Sequence, residues 1–183
     1  MQGEDGTWPI EIRPFTATDL PLLHEWLGRE HVRRWWGEPG PYEQTVEYYL
    51  PAIEGREPTD LFAAVLSGRD IGLAQTYLVT DYPDYAAVVG LDDGVAGLDL
   101  FVAEAELTGR GVGTAVIGKV VGDVVFGRAG TTACIADPDV RNLASIRAFE
   151  KAGFSRVRDL LDPEDGELHA LMRLDRPGLP ANG

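Results

Sequence analysis

Three glycines at alternate positions, Gly109, Gly111 and Gly113, follow a strand-like apolar run and open an apolar helical stretch. Glycine removes the side chains that would hold a ligand away and permits backbone angles that other residues avoid. Successive main-chain amides at such a turn, backed by a helix N-terminus, form an anion site. Arg110 adds positive charge inside the turn, and a diphosphate is the natural guest. Other phosphate signatures do not match. Gly113 is followed by Thr114-Ala115 rather than by Lys-Ser or Lys-Thr, and the turn lies past the middle of the chain, whereas a dinucleotide fold opens with its glycine turn. Downstream, a strand and a proline turn (Ile135 to Asp139) lead to a helix that starts at Asn142 and ends at Ala152-Gly153-Phe154. Asn142 can cap that helix and contact a ligand at once. The plainer reading of both features is a glycine-rich helix entry without ligand and an asparagine that only caps.

Composition narrows the chemistry. The 183 residues carry 16 Lys and Arg against 30 Asp and Glu, a net charge of −14. Binding to a nucleic-acid backbone needs clustered cations, so this balance excludes it as a general role and favours cationic substrates. The single cysteine, Cys134, sits on an apolar run and reads as core. It excludes a disulfide framework, a four-cysteine zinc site and a thioredoxin-like pair. His24, His31 and His169 lack ligand spacing and read as structural or surface residues, so no metal is expected. No run approaches the length of apolar sequence that a membrane helix needs. The acidic N-terminus, MQGEDGTWPIEI, does not read as a secretory signal, and a cytoplasmic location is expected.

The elements that must position these residues can be traced along one chain without linker or repeat. Residues 1–9 and 177–183 read as flexible tails around a single domain, 10–176. Ile10 to Phe15 alternates as a strand, and Thr16 with Asp19 forms a capping box for a helix striped by Leu20, Leu23 and Leu27. Val32 to Trp36 makes a second helical piece ending at Gly37. Tyr42 to about Glu54 makes a third, with Pro51 predicted to kink or end it. Leu61 to Leu66 and Ile71 to Val79 pair through a turn at 67–70, and Asp81 to Gly94 is expected to be a surface loop. Gly97 to Val102 is the strand before the glycine turn, and a helix then runs through Phe126. A strand at Thr132 to Ala136, a helix at Asn142 to Ala152 and a final antiparallel pair, 154–161 with 167–174, complete a mixed α/β chain.

The glycine turn and the Asn-led helix ending in AGF together resemble the GCN5-related N-acetyltransferase superfamily. The blocks LLHEWL (22–27), HVRRWWG (31–37), YLP (49–51), IGLAQTY (71–77), GVAGLDLF (94–101) and EKAGF (150–154) are similar, in this order, to the aminoglycoside 6'-N-acetyltransferases. The resemblance runs from about residue 10 to 174. It implies a central, mostly antiparallel twisted sheet flanked by helices, and acetyl-coenzyme A as acyl donor. Its cofactor positions are Phe101, Val102, Ala103, Thr108, Gly109, Arg110, Gly111, Val112, Gly113, Thr114, Asn142, Ser145 and Phe149. Thr108 stands where the family pattern has Gln or Arg. Its substrate positions are Trp36, Tyr49, Gln75, Asp84, Asp99 and Asp165, with Asp99 the proposed base or electrostatic anchor.

Acetyl transfer from a thioester to an amine needs a neutral amine, a polarised carbonyl and a protonated leaving thiolate. Asp99 can anchor an ammonium and accept its proton, and amides near Phe101 to Ala103 can receive the thioester carbonyl. Many relatives carry Tyr where this chain has Phe149, which has no proton to give; water or Tyr77 are the substitutes. A polycationic amine fits an acidic cleft drawn from Asp84, Asp92, Asp93, Asp99 and Asp165. The partner implied is a small polycationic amine, with the chain a monomer or homodimer. Another small amine, a siderophore precursor, and a non-catalytic coenzyme A-binding module are the alternatives. The siderophore branch usually carries a histidine where this chain has Leu98-Asp99-Leu100.

Overall fold

The computed structural model describes residues 8–90, 93–162 and 166–178. They gather into two compact units. The first takes the described residues up to Gln75 together with Asp99–Val116. The second takes Thr76–Leu98 and the described residues from Ile117 onward.

In the first unit the strand order is β1-β2-β3-β4. β1 (Ile10–Pro14) lies antiparallel to β2 (Thr59–Leu66), with Ile10 opposite Leu66 and Pro14 opposite Phe62. β2 returns as β3 (Arg69–Leu78) through Ser67 and Gly68, both at positive φ, the two-residue turn whose twist matches that of paired strands. β4 is Val95–Val102. Between β1 and the first helix the predicted capping box is present: the backbone N–H of Thr16 donates to Asp19 Oδ2 at 2.8 Å. Arg13 then bridges Asp19 and Asp70 with bonds of 2.7 to 3.0 Å, and its hydrogen bond holds the Asp19 carboxyl below its ordinary range.

Three helices follow in this unit: α1 (Leu20–Leu27), α2 (Glu30–Trp36) and α3 (Tyr42–Ile53). The stripe Leu20, Leu23 and Leu27, with Trp26, is buried against Val32, Tyr49, Leu61, Leu73 and Phe101. Pro51 does not end α3, which runs on to Ile53. It stands in the last turn, and the chain closes beyond it with Glu54 N–H donating to Leu50 and Arg56 N–H to Pro51. Proline has no N–H, so the i to i−4 bond that position 51 would make is missing, yet the helix continues past it.

In the second unit the order is β3-β4-β5-β7-β6. β4 runs parallel to β5 (Ala133–Ala136), from Val95 opposite Ala133 to Gly97 opposite Ile135. β5 and β6 (Ser155–Leu161) each lie antiparallel to β7 (Leu168–Asp175). The long loop expected at 81–94 instead contains a short helix, α4 (Pro83–Val89). Proline at its first position presets the helical φ, and Gly90 at φ 60° closes it in the left-handed conformation. The inward Val89 joins Val79, Val95, Ala133, Ile135, Leu160 and Leu171 in this unit's core. α5 (Val112–Val120) opens after the glycine turn and runs on as one π-helical turn, Val121–Val125; α6 is Leu143–Lys151. The fold is therefore mixed α/β, with a central, mostly antiparallel sheet flanked by helices, as the sequence implied. Among the described residues no helix is long and apolar enough to cross a membrane.

Two features fix the end of β4. A side chain at Gly72 would bring a Cβ within 2.1 Å of the Phe101 carbonyl oxygen, so β3 and β4 approach there only because residue 72 has none. Beyond it, the buried Glu104 carboxylate takes salt bridges from Arg29 at 3.0 Å and Arg69 at 2.8 Å. Burial alone would raise the Glu104 carboxyl, but the hydrogen bonds and charges of Arg29 and Arg69 outweigh it and hold the group below its ordinary value.

Gly72→Ala should destabilise the protein by about 1–3 kcal/mol, since the obstructing atom is backbone and cannot swing away; a urea titration measures it. Glu104→Gln should cost about 1–3 kcal/mol near neutral pH. Because the folded carboxyl is depressed, its contribution is full above the ordinary glutamate value and fades as pH falls through the lower folded one. The gap between wild type and variant should therefore close on acidification. A gap that stays constant in urea titrations from pH 7 to below pH 4 would refute that account.

Candidate active site

In the first unit, Asp99 stands half-buried on β4, and Gln75 Nε2 on β3 donates to its Oδ2 at 3.1 Å. The two residues come from strands that the Gly72 approach brings together. The amide N–H orients the carboxylate without carrying a charge that would neutralise it. Two aromatic side chains named from the sequence meet in the same unit. Trp36, the last residue of α2, donates from Nε1 to the Tyr49 hydroxyl on α3 at 2.9 Å. Burial pushes the Tyr49 phenol well above its ordinary value, against the effect of the Trp36 bond and with the negative charge of Asp99 adding to the rise. The phenol therefore stays an uncharged O–H at neutral pH. Trp36 also meets the Phe101 ring edge-on, with centroids 4.9 Å apart.

Past β4, one turn of 3-10 helix (Ala105–Leu107) leads into the glycine turn. Thr108, the departure from the family pattern, folds back and donates from Oγ1 to the Ala105 carbonyl at 2.7 Å. Gly109 and Gly111 have φ of 71° and 87°, values that side chains rarely adopt. Thr108, Gly109, Arg110 and Gly111 are exposed, and a Cβ on Gly109 would meet nothing within 4 Å. α5 starts at Val112 with no acidic residue in its first turn. The first amides of a helix have no carbonyl partner within it. Open space at Gly109 and the positive helix end together fit a diphosphate. Trp8, expected in the N-terminal tail, donates from its indole to the Arg110 carbonyl at 3.1 Å and braces this turn.

In the second unit Asn142 caps α6, its Oδ1 accepting from the Ser145 N–H at 3.1 Å. Phe149 is buried and packs edge-on against Phe154, with centroids 5.0 Å apart. Asp84 is exposed in the first turn of α4. Tyr77 lies over Gly97, where an added Cβ would fall 2.7 Å from its hydroxyl, and meets Tyr82 and Tyr85 edge-on. Asp165 and Asp92 lie outside the described residues.

The histidines proved more engaged than the sequence indicated. His24 Nδ1 pairs with the Thr45 hydroxyl at 2.8 Å and ties α1 to α3. His31 Nε2 lies 3.1 Å from the Val102 carbonyl. In the second unit, Asp137, Asp162 and His169 bring ligand-type atoms within 4.8 Å of one another, a grouping that sequence spacing hid. His169 Nδ1 sits 2.6 Å from the Asp137 carbonyl, which can only accept, so this nitrogen carries the proton there and is not presented to a metal. Cys134 is fully buried, as a core residue.

Comparison with known proteins supplies the family. The model of the acetyltransferase (GNAT) domain matches residues 16–160. The aminoglycoside N(6')-acetyltransferase type 1 of Klebsiella pneumoniae is 36% identical over 158 residues, covering 85% of this chain and 78% of the relative. The lysine N-acyltransferase MbtK of Mycobacterium tuberculosis is 27% identical over 150 residues, covering 79% of this chain and 68% of that one. Among solved structures, aminoglycoside acetyltransferase AAC(6')-Ib in complex with coenzyme A and kanamycin superposes with a TM-score of 0.83 at 33% identity, covering 91% of this chain and 95% of the other. With strand order, glycine turn and Asn-capped helix all in place, the chain belongs to the GNAT acetyltransferase family and is closely related to the aminoglycoside 6'-N-acetyltransferases.

Proposed function

We propose that this protein transfers the acetyl group of acetyl-coenzyme A to a primary amine, the 6'-amine of an aminoglycoside. The observation that carries the reading is the Asp99 carboxylate, half-buried on β4, held by Gln75 and placed two residues before Phe101 in the strand that leads to the glycine turn. Support for the donor and the acceptor comes from the related structure, which holds coenzyme A and kanamycin. Residues 10–176 act in this reading as one acetyltransferase domain, in keeping with a family model that spans 16–160.

Each residue then has a chemical task. The amides of Gly109 to Thr114, with Arg110, hold the diphosphate of the donor. Phe101 and Val102 offer main-chain groups to its thioester end beside Ala103, whose N–H is held by the Ile71 carbonyl and whose carbonyl is held by Arg29, and Thr108 shapes the turn. Asn142, Ser145 and Phe149 serve the pantetheine arm. When bound, acetyl-coenzyme A supplies an acyl carbon activated by its thioester. Asp99 draws in the substrate ammonium and takes one of its protons, leaving the nitrogen lone pair free to form the C–N bond; as the C–S bond breaks the nitrogen sheds a second proton to water, which leaves the neutral amide. The proton on Asp99 then passes to water. The sulfur leaves with the C–S electrons, and because an aliphatic thiol has a pKa of about 8.5 it takes a proton from solvent without a dedicated acid. That accommodates phenylalanine at 149.

Trp36 and Tyr49 make the wall on which the sugar rings rest, and Gln75 keeps Asp99 in line. Asp84 and Asp165 supply further anchoring for ammonium groups. A substrate with several positive charges suits a chain with a net charge of −14.

Asp99→Asn keeps the shape and the bond from Gln75 but removes the proton acceptor. We expect kcat on kanamycin to fall about 100-fold or more with little change in thermal stability. Thiol release should be measured with kanamycin, tobramycin, amikacin, spermidine, lysine and a peptide, with the product position assigned by mass spectrometry. Turnover confined to spermidine or lysine would overturn the acceptor, and a variant within threefold of wild type would overturn the role of Asp99.

A further inference from the structure

Four consecutive residues at the end of β4 are each held by a side chain from one short stretch, Arg29 to Trp36. Trp36 packs on the Phe101 ring. His31 Nε2 approaches the Val102 carbonyl at 3.1 Å. Arg29 Nη1 donates to the Ala103 carbonyl at 2.9 Å and pairs with Glu104 at 3.0 Å. α2, capped by Arg29 and carrying His31 and Trp36, is thus fastened to this segment at both of its ends. Of its other residues, Glu30, Arg33, Arg34 and Trp35 are exposed and Val32 is buried.

His31 is the member of this set that acts on a peptide plane. A carbonyl oxygen only accepts, so Nε2 must carry the proton and donate. The same peptide is held from its other end, because the Ala103 N–H donates to the Ile71 carbonyl at 2.7 Å. The Val102–Ala103 peptide is therefore clamped between β3 and α2 and cannot rotate about the chain axis without losing both bonds. Its neighbours Phe101 and Ala103 are themselves fixed, one by Trp36 and the other by Arg29. Donors that meet developing charge work best when their direction is set beforehand, and the residue that sets it need not touch the substrate.

We propose that His31 is a positioning residue for acyl transfer: its bond to the Val102 carbonyl sets the orientation of the main-chain groups at 101 and 102 that receive the acyl donor. This rests on the reading of Phe101 and Val102 as donor-binding. The clamp also joins the donor-binding strand to the helix that carries Trp36, so a disturbance at His31 reaches both substrates through one rigid piece.

The test compares wild type, His31→Leu and His31→Gln. Leucine fills the space without a donor, whereas the glutamine amide can place an N–H near the Nε2 position. Calorimetric titration with acetyl-coenzyme A gives Kd and stoichiometry separately, and thiol release with kanamycin gives kcat. We expect His31→Leu to weaken acetyl-coenzyme A about tenfold at full stoichiometry and to lower kcat by about the same factor. His31→Gln should recover to within about threefold of wild type. A merely structural role would instead lower the stoichiometry through partial unfolding and leave Kd unchanged, and that result overturns the proposal. So does a leucine variant that matches wild type, or a glutamine variant no better than leucine. Wild type that binds acetyl-coenzyme A but leaves kanamycin untouched would sink the acceptor reading alone, with the Kd comparison still deciding the role of His31. Wild type that fails to bind it would sink both.

Discussion

The fixed end of β4 is the constraint on which the rest of the first unit depends. β3 and β4 come together there through the missing side chain of Gly72 and the bond from Ala103 to Ile71. Arg29, His31 and Trp36 then hold the strand from the helical side. Just before this anchored segment Asp99 on β4 takes the bond from Gln75, and beyond it the glycine turn leads into α5. In the proposed reading one rigid strand end serves both halves of a transfer reaction, with the Asp99 carboxylate two residues before it and the glycine turn a few residues after it. Rigidity matters because a displacement of about 1 Å in a reacting pair can cost about 100-fold in rate.

Charge is handled in two ways. Inside the fold, carboxylates are matched locally: Arg13 with Asp19 and Asp70, and Arg29 and Arg69 with Glu104. These pairs join segments far apart in sequence and so fix β1 to the first helical turn, and the end of β4 to α2 and β3. The remaining acidic excess, expressed in the net charge of −14, gives the protein a negative field that attracts a polycation over distances set by ionic strength. The uncharged tools of the site, Gln75 on Asp99 and Trp36 on Tyr49, orient groups without cancelling that field.

Much of the fold was legible because it rests on short-range chemistry. The capping box at Thr16 and Asp19, the Ser67-Gly68 hairpin and the Asn142 cap are each decided within a few residues, and each is present. Local signals misled where two of them conflicted. Polar and aromatic residues in 81–94 read as loop, but Pro83 and Gly90 bracket a helix whose Val89 faces a core that the segment alone does not reveal. At Pro51 a local helix-breaker stands in the last turn, and the helix still runs two residues past it.

By itself the sequence determined most of the elements, the family and the glycine turn before α5, because glycine spacing and apolar periodicity act through the local backbone. It also carried the names of the residues that the first unit brings together, Gln75, Asp99, Trp36 and Tyr49, although not their bonds. Only the tertiary structure decided that Arg29 and His31 grip carbonyls 74 and 71 positions away. It likewise decided that Glu104 is buried between two arginines and that His169 sits among Asp137 and Asp162. The physical reason is that a hydrogen bond or an ion pair forms wherever packing brings partners within reach, and packing is a property of the whole chain. A histidine beside a tryptophan pair has no local feature that names a carbonyl on a distant strand. That partner exists only once α2 has been laid against β4.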